Sequence, residues 1–349
     1  MPDVQATVAD VDSDGSLMPI ASPSGPLVFA SAQSAAFAQA VAAGLGIALA
    51  ASEEREFEHG DHKMRPVQQV RGQHVFAIQS IHGDSTASTN DRLIRLLFFV
   101  GALKDAGAAS VTACMPYLAY ARKDRRTQPQ DPATTRYVAA LFEGVGCDRV
   151  VVLDVHNEAA FDNAFRCETV RLEADAVFAG AVGSRANGSR IVVASPDSGG
   201  VKRAEQFRAR VEAHTSTSVD FAFMHKLREH GQLSGDTLVG DVTGAEVLIY
   251  DDIIASGATV MRTVKAARRA GAKSVRVFAT HPVFTAEAIQ LFGEGGPDSV
   301  MVSDSVPVRG QYASLLRGCL RVRSVAPLFA DCIRRLHVGE SLAGLARTG

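Results

Sequence analysis

Short apolar runs alternate with amphipathic stretches along most of the chain after residue 26. The runs have the length of buried strands, whereas the stretches between them repeat apolar positions with a helical period. Thr259–Ala270 shows this pattern, with Val260, Val264 and Ala267 on one face and Gly271 at its end. The strands predicted in this way are Leu27–Ala30, Val75–Gln79, Ser110–Pro116, Arg149–Val155, Arg190–Ala194, Val219–Met224, Glu246–Tyr250, Ser274–Ala279 and Ser299–Val302.

This alternation predicts an α/β fold with mainly parallel sheets flanked by helices. A short internal similarity adds a second level of organisation. Ala106-Gly107-Ala108 leads into a strand at Ser110, and 164 residues later Ala270-Gly271-Ala272 leads into a strand at Ser274. The spacing is about half of the 349 residues, so we predict two similar halves with a boundary near residue 172. Residues 1–26 lack periodicity and are predicted to be a flexible extension.

The composition, 46% hydrophobic and 21% charged, is that of a soluble globular protein. A net charge of −2 provides no general attraction to nucleic acid or to an anionic membrane, so a bound anion must be met by local cations. Five scattered cysteines without a CxxC pair are typical of reduced thiols in a cytoplasmic protein. Residues 35–51 are rich in alanine but interrupted by Gly44 and Gly46, and no Lys or Arg precedes Arg55. We therefore predict a packed helix rather than a signal or membrane-spanning segment.

Ligands of open parallel sheets bind at the carboxyl ends of the strands, where the most informative segment of this chain lies. A predicted strand ends in Asp251 and Asp252, and a loop of small residues then opens a helix near Thr259. The exposed N–H groups of such a loop suit a phosphate, and the paired carboxylates suit ribose hydroxyls and a metal ion. The simpler alternative is a strand end at which Ser256 or Thr259 only caps the helix.

Other polar groups also follow predicted strands. A cluster of cations follows the strand that ends at Pro116, and its members are Arg122, Lys123, Arg125 and Arg126. Such a cluster suits a polyphosphate, although it could equally be a solvated loop. His156 follows a later strand, and Asp197 follows Pro196. Taken singly, the histidine is more often structural and the aspartate more often a turn residue.

In combination, these segments resemble motifs of the ribose-phosphate diphosphokinase family, also called phosphoribosyl diphosphate synthetases. Residues 251–259 resemble the phosphoribosyl diphosphate loop that this family shares with type I phosphoribosyltransferases. Residues 115–126 resemble the diphosphokinases' ATP-binding segment, which is not expected in the transferases. Residues 154–158 resemble the family's D-x-H-x-E element, and residues 195–200 resemble its SPD-x-GG segment. The resemblance extends over roughly residues 27–338, with its motifs in the family order.

The resemblance implies two phosphoribosyltransferase-type domains, residues 27–172 and 173–349, the first on the ATP side. It also implies attack by the anomeric hydroxyl of ribose 5-phosphate on the β-phosphorus of ATP, with Mg²⁺ as cofactor. The implied ATP-binding residues are Phe57, His59, Asp61, Arg122, Lys123 and His156. The implied ribose 5-phosphate residues are Asp251, Asp252, Ala255, Ser256, Gly257, Ala258 and Thr259. The implied metal ligands are His156 and Asp197.

The implied catalytic cations are Lys226 and Arg228, at the start of a polar loop, Glu229–Asp236, that we predict to act as a closing lid. The sequence departs from the family at His59, which replaces an acid of the adenine loop. It departs from the bacterial phosphate loop as well, where Ala255 replaces an acid, Ser256 a threonine and Ala258 a glycine.

Two other functions fit parts of the pattern. A non-catalytic regulatory paralogue is opposed by the retention of Lys226, Arg228, His156 and Asp197. A type I phosphoribosyltransferase is opposed by the chain length, the internal similarity and the cation cluster. The family resemblance further implies a cytoplasmic homo-oligomer built from dimers, with ATP and ribose 5-phosphate as ligands and neither nucleic acid nor membrane as a partner.

Overall fold

The structure is a computed structural model that describes residues 25–183, 190–229 and 232–345, apart from the side chains of residues 226–229, 232–236 and 317. The strands are β1 Leu27–Ala30, β2 Ser52–Glu56, β3 His62–Pro66, β4 His74–Ile78, β5 Ser110–Met115, β6 Arg149–Leu153, β7 Glu168–Leu172, β8 Ile191–Ser195, β9 Val219–Glu229, β10 Gln232–Val239, β11 Glu246–Ile253, β12 Ser274–His281, β13 Ser299–Ser303 and β14 Leu320–Arg323. The α-helices are α1 Ala35–Leu45, α2 Thr89–Asp105, α3 Thr134–Gly144, α4 Glu158–Ala164, α5 Asp175–Ala179, α6 Val201–Thr215, α7 Ala258–Arg269 and α8 Ala326–Val338.

Two large sheets organise these elements, and the predicted α/β fold with two similar sheet-and-helix units is confirmed. The first sheet has the strand order β1-β4-β5-β6-β7 and is parallel throughout. The second has the order β10-β9-β8-β11-β12-β13-β14, with β10 as its one antiparallel member. Its inner strands β8 and β12 are buried along most of their length, as expected where helices cover both faces of a sheet. A separate antiparallel ribbon, β2–β3, carries mostly charged residues.

The two sheets share a hydrophobic core. One buried cluster contains Phe76 and Leu153 of the first sheet together with Tyr250 and Phe278 of the second. The last helix, α8, packs on α1, and the rings of Phe37 and Phe329 make an edge-to-face contact with their centroids 5.4 Å apart. The domain boundary near residue 172 stays a prediction, and the proposed N-terminal extension lies outside the described residues except for its last two.

The alanine-rich segment forms the predicted packed helix, and α1 ends where Gly46 takes a left-handed conformation with φ of 68°. Ala38, Val41 and Ala42 are its buried residues. Within residues 25–183, 190–229 and 232–345, no helix combines the length and apolar character needed to cross a membrane.

Candidate active site

The carboxyl ends of three strands meet at one cleft. His156 follows β6, Asp197 follows β8, and Asp251 and Asp252 lie near the end of β11. A cavity of about 120 Å³ is lined by these four residues, by residues 253–260 and by three further groups from neighbouring segments, Arg122, Gly200 and Arg203. The structure therefore brings the predicted phosphate loop together with both predicted metal ligands and with one of the predicted ATP-binding cations.

A second cavity, of about 510 Å³, lies against the first. Its wall carries five basic residues, Arg122, Lys123, Arg125, Lys202 and Arg203. The two cavities share Arg122, His156 and Arg203. Two ligands bound in them would therefore lie side by side, with these three side chains between them.

Asp252 is buried and Asp251 is partly buried, with side-chain exposures of 5% and 17%. Asp252 Oδ2 lies 2.8 Å from His156 Nδ1, and its Oδ1 lies 3.0 Å from an Arg203 guanidinium nitrogen. Burial alone would raise the pKa of Asp252, but the hydrogen bond with His156 and the charge of Arg203 outweigh it and hold this pKa well below its usual range. Burial and the adjacent Asp252 carboxylate raise the pKa of Asp251.

Arg203, in the first turn of α6, was not identified from the sequence. Its guanidinium contacts Asp252, lies 3.6 Å from Asp251, and donates to the carbonyl oxygen of His156 at 3.0 Å. The residue therefore joins α6, the end of β11 and the segment after β6. Its position beside the SPD-x-GG segment was visible in the sequence, but its partners lie about fifty residues away on either side.

The backbone at position 257 of the phosphate loop requires glycine. This residue caps α7 with φ of 75°, and a Cβ added there would come within 2.6 Å of Leu291 Cδ1. Ala258 is the first residue of α7 and lies in the helical region. The replacement of glycine at position 258 is thus compatible with the backbone, because the left-handed conformation falls one residue earlier. No acidic residue lies in the first turn of α7, and although the Ala258 N–H has a long contact of 3.4 Å with Ser256 Oγ, a helix start of this kind can meet an anion.

The predicted ATP-binding segment is tied to the His156 segment, because Asn157 Nδ2 donates to Asp124 Oδ2 at 2.6 Å. Arg122 lines both cavities. Lys123 lines the larger one, and its ammonium lies 2.9 Å from Asp131 Oδ2. The charge of Lys123 is therefore partly balanced within the protein, whereas Arg122 faces both predicted ligand positions.

The predicted adenine-binding residues lie elsewhere. Phe57, His59 and Asp61 are at the turn of the β2–β3 ribbon, where the Phe57 N–H donates to the Asp61 carbonyl at 2.8 Å. Phe57 is 42% exposed. In the described part of the chain, these three residues line neither of the two cavities. Their part in nucleotide binding stays a prediction.

The predicted catalytic cations lie on a hairpin. Lys226 and Arg228 are in β9, opposite Asp236 and Leu233 of β10, and their side chains lie outside the described residues. The expectation of a loop at 229–236 is wrong for its described part, because residue 229 belongs to β9 and residues 232–236 belong to β10. Pairing between the strands satisfies backbone groups that a loop would leave to solvent. Residues 230 and 231 lie outside the described part.

A buried polar contact between the two sheets lies next to the cleft. Asp154, at the end of β6, accepts a hydrogen bond from the Thr280 hydroxyl, and the Tyr250 hydroxyl lies 3.5 Å away. Burial raises the pKa of Asp154 to about 7. His281 Nε2 lies 3.2 Å from the Leu153 carbonyl oxygen, and burial lowers the pKa of its imidazole to about 4. These contacts fix the end of β6, two residues before His156.

Each half of the chain matches a known protein domain family. Residues 27–146 match the N-terminal domain of ribose phosphate pyrophosphokinase, and residues 212–347 match a phosphoribosyl synthetase-associated domain. The ribose-phosphate pyrophosphokinase of Wolinella succinogenes is 33% identical over 322 residues, which cover 92% of this chain and 99% of the relative. The enzyme of the same name from Helicobacter hepaticus is 34% identical over 319 residues, covering 91% and 98%.

A solved structure agrees with these relatives. The phosphoribosylpyrophosphate synthetase of Mycobacterium smegmatis superposes with a TM-score of 0.81 at 31% identity, covering 90% of this chain and 99% of that one. This chain belongs to the ribose-phosphate pyrophosphokinase family.

Proposed function

We propose that this chain transfers the diphosphoryl group of ATP to the anomeric hydroxyl of ribose 5-phosphate, giving phosphoribosyl diphosphate and AMP. The observation that carries the proposal is the convergence of the phosphate loop, Arg122 and His156 on two adjoining cavities. Its relatives over nearly the full chain carry the name of this activity. The chain is thus a transferase that acts in nucleotide biosynthesis.

Ribose 5-phosphate fits the smaller cavity. The N-terminus of α7 offers N–H groups to the 5-phosphate, and Gly257 supplies the left-handed turn at which this helix begins. Asp251 and Asp252 accept hydrogen bonds from ribose hydroxyls at the end of β11. Ala255, Ser256 and Thr259 complete the wall of this cavity. The anomeric carbon would then face the shared wall between the cavities.

The ATP phosphates fit the larger cavity. Arg122, Arg125 and Lys202 supply positive charge along its wall. Diphosphoryl transfer needs alignment of the two reactants and neutralisation of charge more than covalent help from the protein. Arg122 lies at the shared wall, where it would contact the diphosphoryl group as it moves from one ligand to the other.

The residues of the cleft fit a Mg²⁺ ion carried by the nucleotide. Among the described residues, no group of three or more His, Cys, Asp or Glu side chains could enclose a metal ion. Mg²⁺ commonly takes only one or two protein ligands and completes its shell with water and substrate phosphates. Asp197 offers a carboxylate oxygen, and His156 keeps Nε2 available because its Nδ1 contacts Asp252. When bound, the ion would neutralise phosphate charge.

Lys226 and Arg228 are proposed to donate to the bridging and leaving oxygens as the bond to AMP breaks. Loss of one such donor typically costs about 3–4 kcal/mol in the barrier. Three further features also stay predictions. They are a cytoplasmic location, assembly from dimers, and adenine contacts of Phe57, His59 and Asp61.

The proposal is tested by measuring AMP release from ATP with and without ribose 5-phosphate. Release should depend on the sugar, and Asp252→Asn and Thr259→Val should each raise the KM for ribose 5-phosphate. Unchanged binding of ribose 5-phosphate in both variants by calorimetry would show that the loop is not the sugar-phosphate site.

A further inference from the structure

The guanidinium of Arg203 lies beside two acidic side chains that line the smaller cavity. Asp251 and Asp252 are adjacent at the wall of the smaller cavity, and Asp252 contacts the imidazole of His156. Carboxylate oxygens are the ligands that divalent hard cations prefer. Arg203 contacts both carboxylates, at 3.6 and 3.0 Å, and is only 18% exposed. Its charge is permanent, since guanidinium is not deprotonated in proteins.

The location of Arg203 on its own helix is electrostatically unfavourable. It is the third residue of α6, whose first turn contains no acidic side chain. A cation in the first turn of a helix is opposed by the helix dipole, which favours negative charge there. Helix stability therefore does not account for this arginine, and its contacts with the end of β11 do.

The Arg203 guanidinium contacts two different groups at once. While one nitrogen contacts the carboxylates, another donates to the carbonyl oxygen of His156 at 3.0 Å. Arg203 thereby fixes the position of His156 relative to Asp252, whose other oxygen already contacts the imidazole. A lysine at this position would keep the charge but could not reproduce the planar arrangement of donors.

We propose that Arg203 is a positioning residue whose guanidinium acts as the built-in counter-ion of Asp251 and Asp252. It keeps free divalent metal from binding at these carboxylates and so reserves them for ribose hydroxyls, while the metal ion enters with the nucleotide phosphates. This inference rests on the proposed function only in naming ribose as the ligand of the two carboxylates.

Metal binding to the free protein tests the proposal without turnover. Mn²⁺ is titrated into nucleotide-free protein and its free concentration is followed by electron paramagnetic resonance. Arg203→Met removes the charge at similar side-chain length, and we expect it to bind Mn²⁺ at least about tenfold more tightly than the wild type. A merely structural role for Arg203 would not produce such a gain. The double variant Arg203→Met with Asp252→Asn should lose the gained site.

Two variants control the experiment. Arg208→Met makes the same change on the same helix, where the guanidinium pairs with Glu205 and Glu212 away from both cavities, and it should leave Mn²⁺ affinity unchanged. Arg203→Lys keeps the charge and should bind Mn²⁺ no better than the wild type.

Equal Mn²⁺ affinity of Arg203→Met and the wild type would overturn the proposal, and so would a gain in Arg203→Lys. If Arg203→Met does not fold alone, Mn²⁺ should restore its circular dichroism spectrum, and failure to do so would also contradict the counter-ion role. If the wild type releases no AMP but Arg203→Met still gains the metal site, the proposed function is wrong and the counter-ion role of Arg203 stands.

Discussion

Asp252 has a distinct partner at each carboxylate oxygen, His156 at one and Arg203 at the other. A buried carboxylate remains ionised only where such partners offset its loss of hydration. The same contact restrains the imidazole, because its Nδ1 lies 2.8 Å from Asp252 Oδ2. Individual atoms of the cleft are therefore already oriented before a substrate binds.

At the phosphate loop, the two small residues 257 and 258 should differ sharply in their tolerance of change. Gly257→Ala places a Cβ against Leu291 at a backbone φ of 75°, so the KM for ribose 5-phosphate should rise about tenfold or more. The matched change Ala258→Gly alters a helical residue and should leave this KM within a few-fold. Steady-state kinetics of both variants measures the difference, and a larger effect from Ala258→Gly would contradict the geometry.

The raised pKa of Asp154 predicts a pH effect on stability. Between about pH 4 and pH 7, the folded protein keeps a proton on Asp154 that the unfolded chain has released. The free energy of unfolding therefore falls as pH rises through this window and levels off above it. Asp154→Asn does not titrate, so its melting temperature relative to the wild type should increase from pH 5 to pH 7. A difference that stays constant with pH would contradict the protonated state of this carboxyl.

At the level of elements, β6 and β12 are joined at their carboxyl ends by side chains rather than by a strand ladder. The Thr280 hydroxyl donates to Asp154, and the His281 imidazole contacts the Leu153 carbonyl. This contact holds the segment that carries His156 against the second sheet. The geometry of the cleft thus depends on the contact between the two sheets.

Thr280→Val tests this contact because it deletes the hydroxyl at nearly constant volume. It should lower the free energy of unfolding by about 1–3 kcal/mol, since the buried Asp154 loses a donor. Thr280→Ser retains the donor and should lose less. Chemical denaturation of both proteins gives the comparison, and a stable Thr280→Val beside a weakened Thr280→Ser would point to methyl packing instead.

The sequence predicted the elements whose apolar runs are fully buried. All nine predicted strands are present, because runs such as Val150–Leu153 have no exposed face. The ribbon β2–β3 was missed because Ser52–Glu56 is charged and largely exposed, so it carries no apolar period. β7 and β14, edge strands of their sheets, were missed as well. Periodicity detects burial, and strands with little burial lack the signal.

The candidate site was predictable to the extent that its residues directly follow buried strands. Asp251 and Asp252 lie near the end of β11, and His156 and Asp197 come within three residues after β6 and β8, so their neighbouring positions in the cleft follow from a parallel sheet. Arg203 could not be identified in this way because it lies inside a helix and its role depends on contacts far away in sequence. The paired state of Lys123 likewise required the position of Asp131.

At the scale of the whole molecule, the two sheets share a core, and α8 ties the end of the chain to α1. Phe329, on α8, is fully buried against Phe37. The relative position of the two sheets therefore depends on packing that involves both ends of the described chain.

Phe329→Ala should destabilise the protein by about 3–5 kcal/mol, because it leaves a cavity in this shared core. Phe98→Ala is the matched control, since Phe98 is 64% exposed and should change stability by less than about 0.5 kcal/mol. Calorimetric unfolding of both variants checks the pair. Equal effects would show that α8 does not stabilise the shared core.

The most direct test of the central claim is identification of the products by ³¹P nuclear magnetic resonance after incubation with ATP, ribose 5-phosphate and Mg²⁺. The account predicts AMP and phosphoribosyl diphosphate in equal amounts, since the diphosphoryl group moves as one unit between the two cavities. Formation of ADP, or no reaction under conditions in which both substrates bind, would contradict it.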